Sequence, residues 1–445
     1  MKILFISLGC DKNLADSEEM LGLLTAGGHE ITDDETQADA IVINTCCFIK
    51  DAKEESVETI LEMAEYKKTG SCHALIVTGC MAQRYQKEII EEVPEVDAVL
   101  GTTSYGNIVK ALEEAVAGNH FEEFRDIDYL PDTGSKRVLT TGGHFGYLKI
   151  AEGCDKHCTY CIIPKLRGKF RSVPMERLIA QAEDMAEQGV KELILVAQET
   201  TVYGKDLYGK KSLHILLKKL CEIRGIRWIR ILYCYPEEIY DELIQTIKEE
   251  KKVCHYLDLP IQHASDRILK RMGRRTSKQE LIDIVGKLRK EIPDIVLRTT
   301  LITGFPGETE EDHEELKEFV DEMEFDRLGV FTYSPEENTP AAEMADQVPE
   351  EVKEERRDEL MELQQEISYD RGQDRIGQEL LVMIEGKVAD ESAYIGRTYG
   401  DAPKVDGYIF VQTGELLMTG DFAKVRVTGA LEYDLIGVLS DEYTE

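Results

Sequence analysis

The sequence has no long hydrophobic run and comparatively little positive charge. No stretch of about 18 apolar residues is present, so we expect no transmembrane helix and no membrane partner. The opening segment MKILFISLGCDKN lacks the long apolar region and cleavage site of a signal peptide, which predicts a cytoplasmic protein. The 53 basic residues are outnumbered by 87 acidic ones, giving a formal net charge of −34. This charge repels nucleic acid phosphates and favours a basic partner, with general solubility as the alternative explanation.

Cysteine is absent after position 254. The odd total does not fit a fully paired set of disulfides, and clustered cysteines in a cytosolic chain favour metal or redox chemistry. The eleven cysteines lie at positions 10, 46, 47, 72, 80, 154, 158, 161, 221, 234 and 254. Two groups of three show a pattern, and we expect core packing for the cysteines at 72, 221, 234 and 254.

The pattern of apolar runs predicts an α/β fold with three domains, since 445 residues exceed what one core supports. Residues 1–125 alternate helices with apolar runs such as KILFISLG, DAIVINT and HALIVTG, which predicts an open α/β sheet. Residues 126–140 are polar and form a predicted linker. Six βα units within residues 141–372 predict a partial (β/α)6, TIM-like barrel, whose catalytic groups gather at the carboxyl ends of the strands. Short alternating strands in residues 373–445 predict a small antiparallel β-barrel.

The segment EGCDKHCTYCIIP follows the first predicted barrel strand and contains Cys154, Cys158 and Cys161, here called the barrel cysteines. Three thiolates spaced so closely favour a shared metal group over packing. A [4Fe–4S] cluster takes four ligands, so three cysteines leave one iron open for a substrate or cofactor. Zinc is the alternative, but it needs a fourth ligand, and His157 is poorly placed because its neighbour Cys158 is already one.

Cys10, Cys46 and Cys80, here called the sheet cysteines, each end one of three predicted buried strands. Parallel strands present their carboxyl ends at one edge of a sheet, so we expect the three thiols to converge there. Three buried structural cysteines are the alternative reading. Cys47 adjoins Cys46, and because neighbouring side chains diverge, only one of the two is expected to be a ligand. We choose Cys46, whose position after the strand matches the other two.

The barrel cysteines resemble the motif of the radical S-adenosylmethionine superfamily. Nearly the whole chain resembles the methylthiotransferase family, whose members combine an N-terminal cluster domain, a radical S-adenosylmethionine domain and a C-terminal TRAM barrel. Within that family the sequence is similar to the RimO branch, whose activity is methylthiolation of the β-carbon of an aspartate in ribosomal protein S-twelve. The resemblance lies in the segments SLGCDKNLADSE, NTCCFI, VTGCMAQRY, EGCDKHCTYCIIP, LPIQHASDRILKRMGR and ITGFPGETE.

The resemblance implies a radical enzyme with two [4Fe–4S] clusters and S-adenosylmethionine as cofactors. One S-adenosylmethionine molecule would methylate sulfur associated with the sheet cysteines. Another, bound at the barrel cysteines, would be cleaved by reduction to give the radical that removes a hydrogen atom from the aspartate. The cofactors carry this chemistry, so no acid–base pair is predicted, and an external electron donor and sulfur source are needed.

Six further residues are candidate cofactor contacts. Tyr160 matches the aromatic residue that the superfamily places near the nucleoside, and ordinary loop packing is its alternative. Each of the others lies on or just after a predicted strand, where its alternative is a solvated strand end, a tight turn or a structural ion pair. These five are Gln198, Glu199, Arg298, Gly304 and Gly307. We assign no role to His263.

Two other functions stay open at this point. A tRNA adenosine methylthiotransferase, acting on N6-isopentenyladenosine or threonylcarbamoyladenosine, would use the same chemistry. Its branch typically carries a CQMN-like segment where this chain has Cys10-Asp11-Lys12-Asn13. From residue 374 to 445 the chain has 14 acidic and 6 basic residues, a net charge of −8 that makes tRNA an unlikely partner and suits a basic ribosomal protein. A non-catalytic iron–sulfur or zinc scaffold that binds ribosomes is the other alternative.

Overall fold

The computed structural model describes residues 1–134, 136–389 and 391–440. Residue 135 of the predicted linker, and residues 390 and 441–445 of the predicted C-terminal domain, lie outside the described residues. The predicted fold class is confirmed: a parallel N-terminal sheet is followed by an incomplete barrel and a small closed β-barrel. Within the described residues, no helix combines the length and apolar character that crossing a membrane requires.

The N-terminal unit is a six-stranded parallel sheet with the strand order β2-β1-β3-β4-β5-β6. The runs AIVINT and ALIVTG form its central strands and are buried at every position, because helices cover both faces. Its strands are β1 (Lys2–Ser7), β2 (Glu30–Thr32), β3 (Ala40–Thr45), β4 (Ala74–Gly79), β5 (Ala98–Leu100) and β6 (Phe121–Glu123), and its helices are α1 (Asp11–Ala26), α2 (Lys50–Thr69), α3 (Cys80–Tyr85), α4 (Lys87–Glu92) and α5 (Ile108–Val116).

The central unit has six parallel strands in the order β14-β13-β12-β11-β10-β7, and this sheet does not close into a full barrel. Its strands are β7 (Phe145–Lys149), the short antiparallel pair β8 (Ala151–Glu152) and β9 (Arg171–Ser172), β10 (Glu192–Val196), β11 (Trp228–Ile231), β12 (Val253–Asp258), β13 (Val296–Thr303) and β14 (Arg327–Thr332). Its helices are α6 (Ile163–Arg167), α7 (Met175–Glu187), α8 (Lys205–Tyr208), α9 (Leu213–Cys221), α10 (Asp241–Glu249), α11 (Asp266–Arg271), α12 (Lys278–Glu291), α13 (Glu310–Met323) and α14 (Glu350–Gln373).

The C-terminal unit is a closed five-stranded barrel with the order β15-β16-β17-β19-β18. One detail differs from the antiparallel barrel predicted: β17 and β19 pair in parallel, while the other four pairs are antiparallel. An odd number of strands cannot alternate in direction around a closed ring, so one parallel pair is unavoidable. The strands are β15 (Glu379–Lys387), β16 (Ala393–Arg397), β17 (Ile409–Gln412), β18 (Phe422–Ala430) and β19 (Leu435–Leu439).

A buried ion triad joins the C-terminal barrel to the central sheet. Glu192, at the start of β10, lies 2.7 Å from both Arg230 and Arg397, and all three side chains are fully buried. Burial disfavours the Glu192 carboxylate, but Arg397 and Arg230 outweigh that effect and lower its pKa. Because Arg397 belongs to β16, this triad fixes the small barrel against the central unit.

We expect Glu192→Gln to lower the free energy of unfolding by about 3–5 kcal/mol, because it leaves two buried guanidinium groups without their carboxylate. Urea unfolding at pH 7 measures the loss. Because the pKa of Glu192 is lowered in the folded protein, its carboxylate stabilises the fold at pH values above the unfolded pKa of about 4.3. The difference in the free energy of unfolding between the variant and the wild type should therefore stay constant from about pH 8 to 6 and become smaller only in acid. The control is Arg426→Gln, which breaks the exposed pair with Glu379 and should change little. Equal effects of the two variants would contradict the triad's role.

Candidate active site

The sheet cysteines lie together at the carboxyl edge of the N-terminal sheet. Their strands β1, β3 and β4 are direct neighbours, as the convergence argument requires. Cys10 precedes α1, Cys46 follows β3 at once, and Cys80 begins α3. A Cβ atom at Gly9, where φ is +86°, would lie 2.8 Å from the sulfur of Cys46, so this glycine leaves room for the thiol. Burial and the nearby Cys80 and Cys10 raise the pKa of the Cys46 thiol to about 12.

Cys47 has a different environment from Cys46. Its side chain is fully buried within the apolar cluster that includes Ile43 and Ile60. Cys46 instead packs against Gly9, next to Cys10. Cys80 lies near both side chains, but Cys10 acts on the Cys46 thiol, which supports the choice of Cys46.

The barrel cysteines lie in the loop that follows β8, at the mouth of the central unit. The backbone N–H of Cys161 donates to the carbonyl of Cys158 (3.1 Å), which makes the loop a tight turn. Burial and the neighbouring thiols raise the pKa values of Cys154 and Cys161 to about 12. The hydroxyl of Tyr235, in the segment after β11, lies 3.7 Å from the sulfur of Cys158.

The described residues do not gather into a single-ion site at either cysteine group. In the part of the chain that is described, no three His, Cys, Asp or Glu side chains are placed to share one metal ion. Each thiolate of a four-iron cluster binds a different iron, so the sulfur atoms lie farther apart than the ligands of one metal ion. The absence of a single-ion site therefore says nothing about a cluster. N–H donors also approach the sulfur atoms: the Arg167 Nε lies 3.4 Å from Cys80 and the Lys156 backbone N–H lies 3.4 Å from Cys154. Such donors stabilise thiolate sulfur.

One guanidinium group connects the two sites. Arg167 ends α6, shortly after the barrel cysteines, and is 2% exposed. It donates to the carboxylates of Asp16 (2.7 Å) in α1 and Glu152 (3.1 Å) beside the barrel loop. It also donates a hydrogen bond to the side-chain oxygen of Asn13. The side-chain nitrogen of Asn13 in turn donates to the carbonyl of Thr45 (2.8 Å). Arg167 therefore fixes the barrel loop against the edge that carries the sheet cysteines.

Three predicted cofactor contacts lie near the barrel cysteines. Gln198 donates to Glu152 (2.9 Å), and among the described residues its buried Oε1 atom has no hydrogen-bond partner. Glu199 is 3.7 Å from Lys156 of the cysteine loop, and burial raises its pKa to about 7 against the opposing charge of that lysine. Tyr160 packs edge to face on Phe305, with ring centroids 6.4 Å apart.

The other three predicted contacts have structural partners. Arg298 pairs with Asp258 (2.9 Å) and with Asp406 of the C-terminal unit (3.3 Å), which supports the alternative reading of a structural ion pair. A Cβ at Gly304 or Gly307 would meet the side chains of Lys353 and Arg271 respectively. Both glycines are thus closely packed against this chain's own side chains, and their contact with a cofactor stays a prediction.

Sequence reasoning missed several residues of the site. Arg167 lies in no motif, and its partners Asp16 and Glu152 are distant in sequence. Tyr233 and Tyr235 follow β11, so the rule that places functional groups at strand ends could have found them. Lys12 stands inside a quoted segment, but nothing in the sequence indicates that its side chain is buried.

Three segments of the chain match family models. Residues 2–101 match the uncharacterized protein family UPF0004, residues 148–320 the radical SAM superfamily, and residues 376–439 the TRAM domain.

Similar proteins bear the name ribosomal protein uS12 methylthiotransferase RimO. The one from Lachnoclostridium phytofermentans is 66% identical over 437 residues, which cover 98% of this chain and 99% of that protein. The one from Clostridium perfringens is 52% identical, with 99% of this chain and 98% of the relative covered. The one from Clostridioides difficile is 49% identical, with 98% of each chain covered.

Solved structures of more distant proteins share the fold. The radical S-adenosylmethionine methyltransferase TsrM from Kitasatospora setae, with cobalamin and a [4Fe–4S] cluster bound, superposes with a TM-score of 0.56 at 13% identity, covering 76% of this chain and 73% of that one. The cobalamin-dependent S-adenosylmethionine radical enzyme OxsB gives 0.52 at 15% identity, covering 77% and 54%. At such identities the likeness concerns the fold alone.

We expect Arg167→Met to lower the free energy of unfolding of the metal-free protein by about 3 kcal/mol, because Asp16 and Glu152 lose one buried counter-ion and keep Lys149 as the other. Urea unfolding measures this change. The matched control is Lys165→Met in the same helix: Lys165 is exposed and its Nζ donates only to the carbonyl of Asn338 (2.8 Å), so little loss is expected. A wild-type unfolding curve for Arg167→Met would refute the assigned role.

Proposed function

The chain belongs to the RimO family of ribosomal protein uS12 methylthiotransferases, and on this premise we propose that it adds a methylthio group to the β-carbon of an aspartate in uS12. It is a radical S-adenosylmethionine enzyme, as the family and the matching central segment require. Since the substrate is part of the ribosome, we place the reaction in the cytoplasm. An external electron donor and a sulfur source complete the proposal.

The observation that carries the proposal is the presence of two separate groups of three cysteines at strand ends, with Arg167 in contact with Cys80 of one group and with Glu152 beside the loop of the other. We propose that Cys154, Cys158 and Cys161 hold one [4Fe–4S] cluster and that Cys10, Cys46 and Cys80 hold a second. Three thiolates leave one iron of each cluster without a protein ligand. The domain division predicted from the sequence, 1–125, 141–372 and 373–445 with a linker between the first two, forms part of this proposal.

When bound, the clusters and S-adenosylmethionine would supply the one-electron chemistry that breaks an unactivated C–H bond and the methylated sulfur that replaces the hydrogen. This chain's residues position and enclose those groups. The Gln198 Oε1 atom, buried without a partner in the described residues, is available to accept a hydrogen bond from the amino group of S-adenosylmethionine. Arg167 holds the two cysteine groups in a fixed relation. Tyr160, with Phe305, forms an apolar wall beside the loop.

The charge of the chain supports a basic protein substrate. The formal net charge is −34, and the segment from residue 374 to 445 contributes −8 of it. Ribosomal proteins are typically rich in lysine and arginine, so this surface attracts them and repels tRNA phosphates.

The test uses the reconstituted holoenzyme with S-adenosylmethionine, dithionite, and small ribosomal subunits and tRNA from a strain that lacks this enzyme. Mass spectrometry should find a methylthio group on one aspartate of uS12 and none on the tRNA. The triple variant Cys154→Ala, Cys158→Ala, Cys161→Ala should give neither this product nor 5′-deoxyadenosine. Modification of tRNA alone would overturn the proposal, and wild-type protein that forms no 5′-deoxyadenosine would point to a non-catalytic scaffold.

Two glycine-to-alanine variants test the proposed cluster at the sheet cysteines. A Cβ at Gly9 would lie 2.6 Å from the Cβ of Cys46, so Gly9→Ala should displace that thiol and remove about four of about eight irons. The control is Gly28→Ala, at a similar φ of +83° but with nothing within 4 Å, which bears the same backbone strain and should keep its iron. Iron analysis and EPR of anaerobically prepared protein measure both variants. Equal iron contents would argue against a cluster at the sheet cysteines.

A further inference from the structure

Lys12 is a buried lysine for which the described residues supply no counter-ion. It is the second residue of α1, two positions after Cys10, and only 8% of its surface is exposed. Throughout the described residues, no carboxylate lies within 4.0 Å of its Nζ atom and no hydrogen bond reaches it. The neighbouring Asp11 carboxylate instead accepts a hydrogen bond from Tyr233 (3.1 Å). Buried lysines are almost always paired, so an unpaired one indicates a missing anion.

The ring of Tyr233 holds the Lys12 ammonium in place. The Nζ atom lies 3.2 Å from the ring centroid, a cation–π contact that leaves the N–H groups of the ammonium free for an anion. Tyr233 has a φ of +59°, a left-handed conformation that costs a non-glycine residue about 1–2 kcal/mol. Its backbone N–H donates to Asp258 (3.0 Å), which helps maintain this conformation. Backbone strain of this kind concentrates at functional positions.

Chain position and contacts relate Lys12 to both cysteine groups. Tyr233 stands two residues after β11, at the mouth of the central unit. Tyr235, in the same short segment, contacts the sulfur of Cys158. On the other side, Cys10 is two residues from Lys12 and is exposed. An anion bound by Lys12 would therefore lie within the space that the barrel and sheet cysteines share.

We propose that Lys12 binds the side-chain carboxylate of the substrate aspartate, an inference that rests on the proposed function. The carboxyl carbon of aspartate is bonded directly to the β-carbon that the proposed reaction modifies. An ammonium group bound to that carboxylate would hold the β-carbon between the two cysteine groups. It would also select aspartate over asparagine, whose neutral amide cannot replace the missing negative charge.

The test measures peptide binding to the reconstituted holoenzyme without S-adenosylmethionine, by fluorescence anisotropy. One labelled peptide carries the uS12 segment with its target aspartate, and a second has asparagine at that position. The wild type should bind the aspartate peptide at least about tenfold more tightly, which corresponds to about 1.4 kcal/mol. Lys12→Met should lose this preference because its affinity for the aspartate peptide alone falls. Lys12→Arg should keep most of the preference.

Lys50→Met is the control, because Lys50 lies in the same unit with a side chain that is 72% exposed. It should bind both peptides like the wild type. Equal wild-type affinity for the two peptides would overturn the inference, and this comparison remains decisive even if Lys12→Met does not fold. The inference would also be overturned by a Lys12→Met protein with full iron content that still prefers the aspartate peptide, or that binds both peptides more weakly by the same factor. Failure of the wild type to methylthiolate uS12 would instead defeat the proposed function.

Discussion

Arg167, the last residue of the helix that follows the barrel cysteines, places its guanidinium group among residues of the N-terminal unit. There it touches Asp16, Asn13 and the sulfur of Cys80 while it keeps its contact with Glu152. A buried charge with several partners tolerates little displacement, because any lost partner leaves a group desolvated and unpaired. Arg167 therefore links the helix that follows the barrel cysteines directly to Cys80 and to residues of α1.

The C-terminal barrel is held by similar means. Glu192 is shared between Arg230 of the central sheet and Arg397 of the barrel, and Arg298 extends the contact to Asp406. Fully buried pairs of this kind favour one orientation of two units, since rotation would separate the charges. The small barrel is thereby kept in a constant position relative to the central sheet.

The fold alone does not decide the reaction. Enzymes with the same fold at 13–15% identity are named for methyl transfer and for cobalamin chemistry. In this chain Cys10, Cys46 and Cys80 end neighbouring strands of the N-terminal sheet, and the buried Lys12 lies two residues after Cys10. The chemistry that these residues permit, and the high identity to uS12 methylthiotransferases, lead to the same function.

The sequence by itself determined the fold class and the family and predicted both cysteine groups, because strand periodicity and motif residues are local properties. The convergence of the sheet cysteines followed from strand order, since parallel strands end at one edge. Only the tertiary structure decided that Arg298 pairs with Asp406, that Gly304 packs against Lys353, and that Lys12 contacts Tyr233 with no carboxylate partner in the described part of the chain. Ion pairs and burial join residues from distant segments, so their partners cannot be read from local patterns. The parallel pair in the small barrel required the number of strands and their closure, which no single strand reveals.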